Sequence, residues 1–138
     1  MAQLSWRVSG RGAGSCRAAQ LASIRQNHVI EKANEMAPWL NQRFHELFDD
    51  NPNVGEVRSV GLINAIELVE DKETKKAFDS SLRLGYRIYR KALERGLMLR
   101  PLGDVMYFNP PLVISKEELE EALDICKWAV DEVLDEIN

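Results

Sequence analysis

From Cys16 to about Asp49, the apolar residues Leu21, Ile24, Val29, Ala33, Met36, Leu40, Phe44 and Leu47 recur at three- to five-residue intervals. That spacing predicts one apolar stripe on a long helix or a pair of helices. Pro38 has no N–H to give the carbonyl four residues back, which predicts a kink or a break around Glu35 to Pro38. The Asn51-Pro52-Asn53 cluster ends the run. Between Val57 and Val69, β-branched residues and the alternation of Ile66 and Leu68 with Ala65 and Glu67 predict a strand, with a bend or bulge at Gly61.

The charged stretch Glu70 to Ser81 reads as a solvated loop. A second helix is predicted after a cap at Asp79, Ser80 or Ser81, with Leu82, Tyr86, Tyr89, Ala92 and Leu93 on one face and a stop at Gly96. Leu97 to Arg100 and Val105 to Phe108 read as a hairpin turning through Pro101-Leu102-Gly103-Asp104. Ser115 and Glu118 have the spacing of a capping box. They open a last helix whose apolar face runs from Leu119 through Leu123, Cys126 and Val130 to Ile137. The fold class is therefore α+β: a short antiparallel or mixed sheet of about three to four strands with helices on one face, preceded by a long, kinked helical segment. Residues 1–16 have no sustained apolar period and read as a loose leader; residues 17–138 form the domain.

Composition narrows the partners. A chain of 138 residues with 45% hydrophobic and 29% charged residues suits one soluble domain. Its net charge of −4 argues against a nucleic-acid binder, which normally shows a basic face. The absence of a long apolar run or signal-type leader points to no membrane and a cytoplasmic location. Cys16 and Cys126 form neither a metal-type pair nor a disulfide framework.

The residues do not assemble a catalytic constellation by themselves. His28 and His45 have no Cys or carboxylate at metal-ligand spacing and read as helix-flank histidines. The acidic pairs of the last helix read as a solvated face. Arg100 is more informative, because a permanently charged guanidinium between Leu97, Leu99 and Pro101 needs a partner. That partner is either a structural carboxylate, Asp104 or Glu67, or the carboxylate of a ligand gripped by two parallel hydrogen bonds.

Three motifs then stand in order: Val57-Arg58-Ser59-Val60-Gly61-Leu62-Ile63-Asn64-Ala65-Ile66-Glu67-Leu68, Gly96-Leu97-Met98-Leu99-Arg100-Pro101-Leu102-Gly103-Asp104, and Asn109-Pro110-Pro111-Leu112-Val113-Ile114. Together they resemble the carboxy-terminal small domain of the fold-type I, class III pyridoxal-phosphate aminotransferases. The Arg-Pro-Leu-Gly-Asp form most resembles the adenosylmethionine-8-amino-7-oxononanoate branch, which serves biotin biosynthesis. The ω-amino acid:pyruvate transaminases share a looser version and are the alternative, along with a non-catalytic binding or dimerisation module.

The resemblance implies transamination through a pyridoxal 5'-phosphate Schiff base whose lysine belongs to a large domain not represented in these residues. This chain alone is then expected to bind no cofactor and to lack catalysis. The large domain, a second subunit of a homodimer and a small amino or keto acid are the implied partners. Arg100 matches the arginine that grips the substrate carboxylate, with Pro101, Gly103 and Asp104 shaping the turn that presents it. Around Ser9 to Ala19 the sequence departs from the family pattern, so a phosphate contact to the neighbouring subunit is not carried over.

Overall fold

The computed structural model describes residues 10–137, with side chains from residue 16. Helix α1 (Gly10–Gln26) and helix α2 (Val29–Phe48) meet at His28, which adopts a left-handed conformation with φ 51°. The expected break at Glu35 to Pro38 is thus misplaced: α2 runs through Pro38 and the interruption falls ten residues earlier. Asn34, whose carbonyl loses its donor, and Pro38 are both exposed, so water can take the freed carbonyl. Ala33, Ala37, Leu40, Phe44 and Phe48 form the buried stripe of α2. The helix α1 covers Gly10–Gly14, where no element was expected; residues 1–9 of the expected leader lie outside the described residues.

The single strand expected over Val57 to Val69 is two: β1 (Val54–Val60) and β2 (Ile63–Leu68), paired antiparallel. Gly61, at φ +58°, is the first residue of the two-residue turn between them, a position where a tight hairpin takes glycine. The register irregularity sits instead between Val54 and Glu56. Strands β3 (Arg100–Leu102) and β4 (Val105–Phe108) make the expected hairpin with a tighter turn, Gly103-Asp104, leaving Pro101 inside β3. The sheet is wholly antiparallel in the order β1-β2-β4-β3, so β1 and β3 are its outer strands. An outer strand is where proline, lacking an N–H, is tolerated.

Between the hairpins, Asp79 caps a short 3₁₀ turn (Ser80–Leu82) by accepting from the Ser81 N–H at 2.8 Å. Helix α3 (Leu84–Glu94) follows, and Gly96 at φ +83° ends that segment as expected. Its buried face is Leu84, Gly85, Ile88 and Ala92; Ala92 is buried as expected, while Tyr86 and Leu93 of the expected face are exposed. Helix α4 (Lys116–Asp135) opens with the reciprocal Ser115–Glu118 capping box.

Side chains alternate across a strand. Ile66 and Leu68 of β2, with Met106 and Phe108 of β4, are buried in the core formed with α2, α3 and α4, and Asn64 is buried on the same face of β2. By register, Arg58, Ala65, Tyr107 and Arg100 make one row on the other face of the sheet. The α+β class with a four-stranded antiparallel sheet is as the sequence predicts.

Candidate functional site

The β3–β4 hairpin sets the position of Arg100. It pairs across the ladder with Tyr107, and it is exposed at the free edge of the sheet. With Tyr89 of α3, Met98, Leu99, Pro101, Tyr107 and Asn109 it lines an open concavity of about 440 Å³. Arg100 is the one charged residue in that lining.

Neither structural carboxylate claims it. Glu67 pairs with Arg58 at 3.3 Å, and among the described residues Arg100 has no ion pair. Asp104 makes its contribution through the backbone, its carbonyl accepting from the Leu68 N–H at 2.9 Å. Partial burial, then the nearby Glu67, raises the pKa of its carboxyl above the ordinary value.

Gly103, at φ +61°, supplies the left-handed turn residue. Gly85 holds the hairpin from the other side, a residue the sequence reading did not single out. A Cβ there would run into the Gly103 carbonyl oxygen and come within 3.1 Å of Pro101 Cβ. The start of α3 therefore lies directly against the backbone that carries Arg100. The only sequence signal was a glycine inside a helical pattern, which often marks close packing.

A second polar chain was also missed. His45 Nδ1 lies 3.0 Å from Asp49, its Nε2 lies 3.4 Å from Ser59 Oγ, and Ser59 Oγ donates to Asn64 Oδ1 at 2.5 Å. The residue types are those of a nucleophilic relay. Here, however, the hydroxyl proton is committed to the buried Asn64, so the chain ties α2 to the β1–β2 hairpin and satisfies a buried amide. His28 stays exposed, 4.0 Å from Glu31. Among the described residues no cluster of three or more His, Cys, Asp or Glu is placed to hold a metal, and no helix is long and apolar enough to cross a membrane.

A cofactor Schiff base needs a lysine desolvated enough to lose its proton. Lys32, Lys72, Lys75, Lys76 and Lys116 are exposed. Lys127 is paired with Asp131, and hydrogen bonding to Glu136 raises Lys91 above its ordinary value. The lysines of this chain do not fit that role.

Comparison with known proteins agrees with this anatomy. The chain is 38% identical over 119 residues to the adenosylmethionine-8-amino-7-oxononanoate aminotransferase of Aquifex aeolicus, covering 86% of this chain and 26% of that protein. It is also 38% identical over 137 residues to the diaminobutyrate–2-oxoglutarate transaminase of Halomonas elongata, covering 96% of this chain and 29% of that one. A pyridoxal-phosphate-bound aminotransferase mutant from Vibrio fluvialis superposes with a TM-score of 0.78 at 30% identity, over 81% of this chain and 25% of that structure. The chain thus spans about a quarter of the length of these relatives. The family model for aminotransferase class-III matches residues 13–130, and this chain belongs to the class III aminotransferases.

Proposed function

We propose that this chain acts as the small domain of a pyridoxal-phosphate-dependent class III aminotransferase, with residues 17–138 as the functional unit. Its task is to close over a cleft formed with a large domain and to bind the substrate carboxylate through Arg100. The observation that carries this reading is the exposed Arg100 at the rim of the Tyr89–Tyr107 concavity, without an ion pair among the described residues. A carboxylate there meets a planar donor fork, and the lining of Met98, Leu99 and Pro101 shields the contact from water on one side. Pro101 fixes the backbone next to Arg100, while Gly103 and Asp104 form the turn that holds β3 against β4. The large domain supplies the lysine and the cofactor chemistry.

The substrate assignment is finer. The Arg100-Pro101-Leu102-Gly103-Asp104 run favours the adenosylmethionine-8-amino-7-oxononanoate reaction of biotin biosynthesis. The equal identity to the Halomonas transaminase favours a broader ω-amino acid specificity as the second reading. A homodimeric assembly is part of the proposal.

The test is complementation. The chain alone should show no Schiff-base absorbance and no transamination. Mixed with a separately folded class III large domain, it should restore both. Arg100→Lys should then raise the KM for the carboxylate substrate by about 10- to 150-fold, the range of a lost charge-assisted hydrogen bond. The stability of the isolated domain should stay within about 0.5 kcal/mol, because the residue is exposed. An unchanged KM would remove Arg100 from the site.

A further inference from the structure

Among the described residues, the strands of the sheet carry four charged side chains: Glu56 and Arg58 on β1, Glu67 on β2 and Arg100 on β3. By register and alternation all four project from the face opposite the core. Glu56 and Glu67 stand directly across from each other in the β1–β2 pairing, and like charges so placed repel. Arg58 resolves the conflict, with its guanidinium 3.3 Å from Glu67 and 3.9 Å from Glu56.

Taking Arg58 away would leave Glu67 facing Glu56 on one side and, on the other, Arg100 as the remaining cation of the sheet. Ala65 is level with Arg100 through Tyr107, and Glu67 lies two residues further along β2. With strands about 4.8 Å apart and a rise of about 3.4 Å per residue, the two Cα atoms are on the order of 12 Å apart. An extended arginine and a glutamate together close such a gap. Glu67 already bears on the turn that leads back to β3: after partial burial, its charge is the second cause of the raised pKa of Asp104.

We propose that Arg58 is a positioning residue for the carboxylate clamp: by holding Glu67 towards β1 it keeps the sheet's own carboxylate from occupying Arg100. The inference rests on the functional reading above and adds the ion pair that keeps the clamp open. An exposed pair contributes little to stability. The consequence of this one lies in where it puts Glu67, so that a substrate carboxylate meets a vacant guanidinium and has no internal carboxylate to displace. Arg58 touches no substrate in this account and acts only through Glu67.

The experiment follows the Arg100 Nε–H resonance by heteronuclear NMR in the chain itself, assigned by its loss in Arg100→Lys. Circular dichroism checks each variant, and because Arg58 is exposed its variants should fold. Arg58→Gln should move the Arg100 resonance, and Arg58→Lys should leave it near its wild-type position. Arg58→Gln/Glu67→Gln should return it, and the displacement in Arg58→Gln should shrink in high salt. In an enzyme complemented with a class III large domain, Arg58→Gln should raise the KM for the carboxylate substrate about two- to fivefold at unchanged kcat, with the double variant restoring it. A general distortion of the sheet would not be reversed by removing a carboxylate. An Arg100 resonance that stays in place in Arg58→Gln, or that Glu67→Gln does not return, would overturn the proposal and leave the functional reading standing. A wild-type KM in Arg100→Lys would sink both.

Discussion

Burial pushes the Cys126 thiol up to about 12, while Cys16 lies exposed on α1. A thiol reacts as its thiolate and only where reagent can reach it. One thiol per chain should therefore label in native buffer and two in denaturant, with mass mapping placing the native adduct on Cys16. Labelling of Cys126 in the native state would mean that α4 leaves the core far more readily than its packing implies. At this scale the sequence reveals character but not partners. Arg100 stood out because its charge is conspicuous among apolar neighbours, but the choice between an internal ion pair and a free guanidinium depended on where Glu67 points. Glu67 reaches Arg58 across the β1–β2 hairpin, a pairing that requires the strand register. Asn64 was likewise opaque as a buried polar residue, since its partner Ser59 is supplied across the same hairpin.

Among elements, the contact of α3 with the β3–β4 turn is the most consequential. Replacing Gly85 by alanine should destabilise the domain by about 1–3 kcal/mol, because the added methyl meets a carbonyl oxygen and not a yielding side chain. A chemical-denaturation midpoint equal to wild type would show that α3 can lift away freely. In a complemented enzyme the same change should disturb the KM for the carboxylate substrate, since the displaced hairpin carries Arg100. Element type was largely readable: the capping box of α4, the stop at Gly96 and the second hairpin follow from local chemistry. The misreadings are physical. A glycine between two runs rich in β-branched residues reads as a bend or bulge in one strand, yet two strands joined by a two-residue turn at Gly61 have the same pattern. Pro38 predicts a kink or a break because its missing donor is visible in sequence, whereas the exposure that makes the loss cheap is not. The left-handed break at His28 had no signal at all.

Across the whole molecule, acid should weaken the fold. Glu136 is held below the ordinary carboxylate range by hydrogen bonds from Arg87 and Lys91, which tie the end of α4 to α3. Backbone hydrogen bonds lower Glu118 at the start of α4, Asp79 at its 3₁₀ cap and Asp71 in its loop. The folded state therefore binds fewer protons than the unfolded chain. Stability from these groups is complete above the unfolded carboxylate values, near 4, and is lost as pH falls through the lower folded ones. Asp104, raised by burial, has the opposite sign and offsets part of the loss. Thermal melts between pH 7 and 3 should show Tm falling on the acid side, less steeply in Ser115→Ala/Glu118→Gln. A flat profile would remove these contacts from the account of stability.

The two outer strands carry different guards against stacking with other chains. Along β1 two of the three outward side chains, Glu56 and Arg58, are charged, so a neighbouring sheet meets ions over most of that strand. The opposite border is only three residues long and contains Pro101, which has no amide proton for an incoming chain. The ring that steadies the arginine strand thus also blunts that border as a seed for fibrils, so that rigid presentation of a cation and colloidal safety come from one residue.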